Sequence, residues 1–371
     1  MLERHVPGAE IVFWPFYDYL PGYEVAMLMQ RFPALTIVQG KLDSSGRAST
    51  PELADAVRNA DFFLHGSAPY ALGWMDAEVF HKATGKPFGF YGVSYGHWIF
   101  GNAEKDTLSR ASFAFFRDRV SLQKAMDDGV VAPVMGFSPD AAFALDVGDD
   151  AAGGAFIMNR GLEAGQFLCC IPKHRYTPTW LHVRKKRPID ERQNRRNEEM
   201  REIDHRPLRE AITAVTRQTK MKVLICNEDE TETSIGRDWL LDRLPDDVRQ
   251  RTVWLERPWL LPEAVGVYRL SAGLFGYEMH SPIMCIAHGI PGLVGRWVEQ
   301  SSKGTMWNDI GLGEWLFNMD AAADAARLPS VVLQLAQDPA TAHRKAQKAR
   351  AFALARLEET MAAVERASRP A

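Results

Sequence analysis

Residues 273–295 read GLFGYEMHSPIMCIAHGIPGLVG. The apolar run Gly273–Tyr277 reads as a strand. Ser281 and Pro282 then suit a helix start: a serine hydroxyl takes up an orphan backbone N–H, and a proline at the first helical position has none to lose. Gly289 suits the stop, and a second apolar run, Gly292–Gly295, follows. Strand, helix and strand in so short a span predict a parallel crossover unit. His280 falls at the end of the first strand, before a helix N-terminus. Such a terminus gathers anions, and a histidine there can pass a proton to the bound group. In an extended chain Glu278 shares a face with His280, so it is expected to orient the imidazole and raise its pKa. His288, near the end of the apolar helix, reads as structural.

The same rhythm extends outward. Strands are expected at Ile11–Trp14, Leu35–Val38, Asp61–His65, Phe88–Gly92, Ser112–Phe116, Phe167–Ile171, Val223–Cys226 and Thr252–Leu255, besides the two above. Helices are expected at Pro51–Asn59, Asp76–Thr84, Arg119–Asp128, Pro207–Thr219 and Pro262–Leu270. These strand runs do not alternate polar with apolar residues, which predicts sheets covered on both faces. The acidic, glycine-rich DVGDDAAGG of Asp146–Gly154 reads as a linker. The expected organisation is an N-terminal α/β domain over 1–147, a second over 155–335, and a long helix over 339–367. Paired domains of this class bind ligands in the cleft between them, near the carboxyl ends of the strands.

Composition narrows the function. The 371 residues carry a net charge of -3, which gives no excess of cations for a nucleic-acid binder. No apolar run approaches the ~20 residues of a membrane helix, and residues 1–10 lack a secretory pattern. Cys169, Cys170, Cys226 and Cys285 sit in apolar runs without CxxC spacing, as buried thiols of a reducing compartment do. A cytoplasmic protein is expected. The charged stretch Tyr176–Arg206 reads as a solvated helix or loop, with a lid over an anionic substrate and a subunit contact as the alternatives. It and the C-terminal helix are the candidate surfaces for a homo-oligomer.

Further candidates lie after other strands. Arg117 follows an apolar strand and offers a guanidinium for bidentate grip on an anion; the alternative is an Arg-Asp pair fastening two loops. Gly66 and Ser67 form a turn that could bring backbone N–H groups to a ligand. Ser94 and His97 end another strand. Lys173, His174 and Arg175 follow the strand Phe167–Ile171, and Lys303 sits in a glycine-punctuated loop. There is no Walker loop, HExxH, GxSxG or full GxGxxG, no convincing metal ligand set, and no cofactor is implied.

The ordered segments FFRDRVSLQKAMDDGV, SPDAAFAL and HSPIMCIAHGIPGLVGRWVEQSSKGTMWNDIGL resemble those of the polysaccharide pyruvyl transferase family. HGSAPY and GKPFGFYGVSYG resemble its first domain, so the resemblance spans about residues 60–320. It implies two Rossmann-like domains of GT-B type and transfer of a carboxyvinyl unit from phosphoenolpyruvate to a sugar. By that resemblance His280 protonates the methylene carbon, Arg117 holds the anion, and Lys303 is a weaker ligand. The family usually has Arg-Leu before this histidine; here Glu278 and Met279 stand there. Against the family's first domain, MLERHVPGAEIVFW of Met1–Trp14 reads as starting inside the first helix, with the first strand and its glycine turn missing. These departures keep two alternatives open: a GT-B-like transferase with a nucleotide-sugar or other donor, and a non-catalytic glycan-binding relative.

Overall fold

The computed structural model describes residues 1–16, 20, 22–69, 71–96, 101–182 and 187–369. The chain divides into two compact units, Met1–Ala141 with Ala355–Ala371, and Ala142–Leu354.

In the first unit β1 (Val12–Phe13) and β2 (Thr36–Ile37) pair in parallel as a separate ribbon. A four-stranded parallel sheet follows in the order β3 (Phe63–His65), β4 (Phe88–Val93), β5 (Ala114–Phe116), β6 (Met135–Phe137). Every residue of β4 and β5 is buried, which explains why these runs carry no polar alternation. The helix Arg119–Asp127 starts where Asp118 accepts the Ser121 N–H at 2.7 Å. The last turns of the C-terminal helix, Pro339–Ser368, belong to this unit: Tyr91 Oη meets Thr360 Oγ1 at 2.7 Å and Arg356 Nε donates to the Phe137 carbonyl at 2.7 Å.

The second unit holds β7 (Phe167–Ile171), β8 (Lys222–Ile225), β9 (Thr252–Trp254), β10 (Gly273–Gly276), β11 (Gly292–Arg296) and β12 (Leu316–Asn318). All are parallel, in the spatial order β12-β11-β10-β7-β8-β9. From β7 the chain winds outward one way through β8 and β9, then returns to the other side of β7 for β10 and winds the opposite way. The order therefore reverses between β7 and β10, and crevices outside the carboxyl ends at such a reversal are where ligands bind. Gly276 permits the close approach there: a Cβ on it would lie 2.2 Å from the Ile171 carbonyl oxygen. The loops carrying Lys173 and Glu278 leave the sheet side by side.

The structure differs from the sequence reading in three places. Asp149–Gly154 is not a linker: Asp149 caps a helix, Asp150–Asn159, by accepting the Ala152 N–H at 2.9 Å. Gly153 serves a crossing with the helix Leu261–Leu270, since a Cβ on it would sit 2.5 Å from the Gly266 backbone and one on Gly266 2.2 Å from the Asp149 carbonyl oxygen. The helix expected from Pro207 begins far earlier and runs Glu191–Gln218. Asp190 caps it, and buried Asn197, Asp204, His205 and Leu208 hold it to the sheet, so Pro207 interrupts one hydrogen bond without ending the helix. Finally, β6 and β12 are edge strands too short to show a pattern. The four cysteines are buried and form no disulfide.

Candidate active site

The carboxyl ends of β7, β8 and β10 bring together Lys173, Glu228, Glu232, Glu278 and His280. Three loops place them: Lys173 follows β7, Glu228 and Glu232 follow β8, and Glu278 and His280 follow β10. The helix His280–Ala287 starts two residues earlier than a Ser281 cap would set it, with Met279 at its cap position and no side chain of its own capping it. The cap comes from across the sheet: Glu228, two residues past Cys226, accepts the Ser281 N–H on Oε2 at 2.6 Å. Its other oxygen lies 2.7 Å from His280 Nδ1. Glu228 thus fixes the His280 ring and the helix terminus together. Burial would raise the Glu228 carboxyl, but His280 and the Ser281 hydrogen bonds outweigh it and leave the pKa at about 2. The His280 side chain remains 60% exposed, open to a ligand.

Glu278 takes another partner. Its Oε1 contacts Lys173 Nζ, and its Oε2 accepts the Met279 N–H at 3.3 Å. The expectation that Glu278 orients His280 is therefore replaced: Glu228 orients the ring, and Glu278 neutralises Lys173. Lys173 also donates to Thr177 Oγ1 at 3.1 Å and lies 3.8 Å from Glu232 Oε1. Glu232 is 1% exposed, and its Oε2 accepts the N–H groups of Glu228 at 2.7 Å and Asp229 at 3.1 Å. Burial raises its carboxyl, Lys173 lowers it in part, and the Glu228 carboxylate raises it again, to about 8. Single ligand atoms of Glu228, Glu278 and His280 lie within 4.8 Å of one another, and the cation held beside them is the Lys173 ammonium.

The remaining candidates are spread wider. Arg175 is buried among carboxylates: Nε and Nη2 grip Asp204 at 2.9 and 3.0 Å, and Nη1 donates to Glu299 at 3.2 Å and Asp320 at 2.6 Å. Asp204 also accepts the Trp297 indole N–H at 3.1 Å. This guanidinium ties the long helix to the loops after β7 and β11. Arg175→Ala leaves Asp204 and Asp320 without their cation and lowers stability by about 3–5 kcal/mol in urea unfolding; a loss below ~1 kcal/mol would contradict that role. Cations of the charged stretch pair similarly, as Arg196 does with Glu299 at 3.1 Å. Ser281 is buried, and its hydroxyl accepts from Tyr268 Oη at 3.0 Å. Lys303 is 5% exposed on the turn Ser302–Thr305. His288 caps the end of the helix that His280 begins.

In the first unit Arg117 is 3% exposed; its Nε donates to Ser94 Oγ at 2.7 Å and its Nη1 to Asp140 at 3.2 Å. Gly66 and Ser67 are exposed, and Ser67 Oγ donates to the Gly92 carbonyl at 3.0 Å. His97 lies outside the described residues.

Glu228 and Glu232 went unread in the sequence. The signal available was the acidic run CNEDETETS, residues 226–234, placed directly after an apolar strand.

A family model described as polysaccharide pyruvyl transferase matches residues 2–294. The chain belongs to the polysaccharide pyruvyl transferase family. It is a transferase. No curated protein matches it significantly. Among solved structures, HepE from Anabaena in complex with UDP and glucose aligns with TM-score 0.53 and 12% identity, over 95% of this chain and 89% of that one. A trehalose-6-phosphate structure from E. coli bound with UDP-2-fluoro glucose gives 0.52 and 10% identity, over 86% and 76%. A putative UDP-N-acetylglucosamine 2-epimerase from Listeria monocytogenes gives 0.50 and 14%, over 86% and 77%. These likenesses show the fold: parallel-sheet α/β units of the GT-B class. Among the described residues of this pyruvyl transferase family member, no helix is long and apolar enough to cross a membrane.

Proposed function

We propose that this protein transfers a pyruvyl unit from phosphoenolpyruvate to a sugar of a polysaccharide or glycan precursor. The observation that carries the reading is the Glu228–His280 pair, with Glu228 2.7 Å from Nδ1 and the exposed ring at the strand-order reversal. Adding a proton to the methylene carbon of phosphoenolpyruvate makes its neighbour electrophilic, and the acceptor hydroxyls then attack that carbon. A carboxylate holding Nδ1 leaves Nε2 to carry the proton toward the bound donor. Closing a ketal across two hydroxyls releases two protons: one ends in the new methyl group, the other on the departing phosphate. Family membership supports this donor and acceptor class.

A second reading has its own observation. Lys173 is already neutralised by Glu278, which disfavours a donor bearing both phosphate and carboxylate. A nucleotide sugar is then the alternative donor; the HepE structure holds UDP and glucose, and the E. coli structure UDP-2-fluoro glucose. Thermal unfolding with each ligand separates the two. Phosphoenolpyruvate at ~100 times its Kd adds about 2.7 kcal/mol of stability. Stabilisation by UDP or UDP-glucose with none by phosphoenolpyruvate overturns the first reading.

A further inference from the structure

Glu232 has no place in the steps just described, yet the fold holds it carefully. One oxygen is fixed by two backbone N–H groups; the other, Oε1, has no hydrogen-bond partner and lies 3.8 Å from Lys173 Nζ. Buried polar atoms rarely go unpaired. An ammonium offers no lone pair to a carboxyl proton, but a lysine that has just given up a proton does. Lys173 in turn reaches the strand-order reversal, where its Nζ touches Glu278. The charged and titratable groups around Glu232 are Lys173 from the β7 loop, Glu228 and Asp229 from its own loop, and Glu278 and His280 from the β10 loop; Asp229 accepts from Thr231 Oγ1 at 2.7 Å and lies 3.3 Å from His182.

We propose that Glu232 stores the proton that Lys173 hands to the leaving phosphate. As the donor C–O bond breaks, its electron pair goes to the phosphate oxygen, which takes a proton from Lys173 Nζ. The resulting amine accepts the Glu232 proton, so Lys173 is an ammonium again and Glu232 is left as a carboxylate. An acceptor hydroxyl that becomes an ether oxygen returns the proton. His280 keeps the separate task of protonating the methylene carbon, so the two protons freed by the acceptor have two destinations. The inference rests on a phosphate leaving group, common to phosphoenolpyruvate and to a nucleotide sugar. Glu232 acts through Lys173 and is a positioning residue.

Two measurements test it. The first needs no donor: carbon-detected NMR of the wild-type protein labelled at the glutamate carboxyl carbons. One buried glutamate is expected to titrate near pH 8, its signal absent from Glu232→Gln. Should that variant fail to fold, Lys173→Met moves the same titration upward, because Lys173 lowers it. No glutamate titrating above the ordinary carboxyl range overturns the proposal, whichever donor the protein uses. The second follows phosphate release from phosphoenolpyruvate, or UDP release from UDP-glucose, with a panel of oligosaccharide acceptors. Glu232→Gln is expected to lower kcat about 100-fold with KM unchanged and to lose the alkaline fall of the wild-type pH profile, and Glu232→Asp to restore part of both. An unaltered profile overturns the proposal. Wild-type turnover of UDP-glucose alone overturns only the phosphoenolpyruvate reading.

Discussion

Replacing His280 with alanine lowers kcat by about 10²–10⁴-fold, the usual contribution of one positioned acid or base, while donor affinity stays within about threefold. The split follows from the structure. The ring is exposed and touches the protein through Glu228, so its loss removes a proton donor without opening the core. Steady-state kinetics with titration calorimetry of phosphoenolpyruvate measure both quantities. Full turnover in the variant would remove His280 from the mechanism. Glu228 adds a pH signature to the same prediction. Its folded pKa, about 2, lies below the ordinary 4.5. The stability it contributes is therefore fully present above about pH 4.5 and is lost as pH falls toward 2. Urea midpoints of Glu228→Gln should match this pattern: below the wild type at neutral pH and converging with it in acid.

Glu278→Gln tightens the binding of phosphoenolpyruvate and of inorganic phosphate by tenfold or more. The carboxylate of Glu278 sits on the Lys173 ammonium and the Met279 N–H, the same kinds of donor that a ligand's phosphate would use. Two charges ~4–5 Å apart interact by about 3–4 kcal/mol at an effective dielectric of 20, and the ~1.4 kcal/mol needed for a tenfold change is less than half of that. Glutamine keeps the shape and removes only the charge. Calorimetric titration of both proteins with each anion checks it; unchanged or weaker binding in the variant would mean that Lys173 does not face the donor. A large gain for Glu278→Gln would also make Glu278 the residue that sets donor choice in this branch of the family.

Several elements were legible because their cause is local. Phe167–Ile171 and Phe88–Val93 are apolar at every position, and strands covered on both faces have to be. The long helix expected over 339–367 is present as Pro339–Ser368, and Ala346, Ala349, Ala353, Leu357, Met361 and Val364 recur along it at three- and four-residue spacing as its buried face. Family membership rests on ordered segments that the sequence carries openly. The glycines of 146–154 misled for the opposite reason. A glycine that loosens a linker and one that lets two helices touch are the same letter, and the helix touching Gly153 lies more than a hundred residues away in the chain.

The site divides in the same way. By itself the sequence determined the α/β class, the family, and the position of His280 at the junction of a strand and a helix, all of which depend on spacing along the chain. Only the tertiary structure decided the partners: Glu228 for His280, Glu278 for Lys173, and three carboxylates for Arg175. Adjacency in sequence suggested Glu278 for His280, but side chains pair across neighbouring strands, and the order β10-β7-β8 sets which loops meet. The charge state of Glu232 is likewise a property of its burial beside Lys173, and no stretch of sequence contains both.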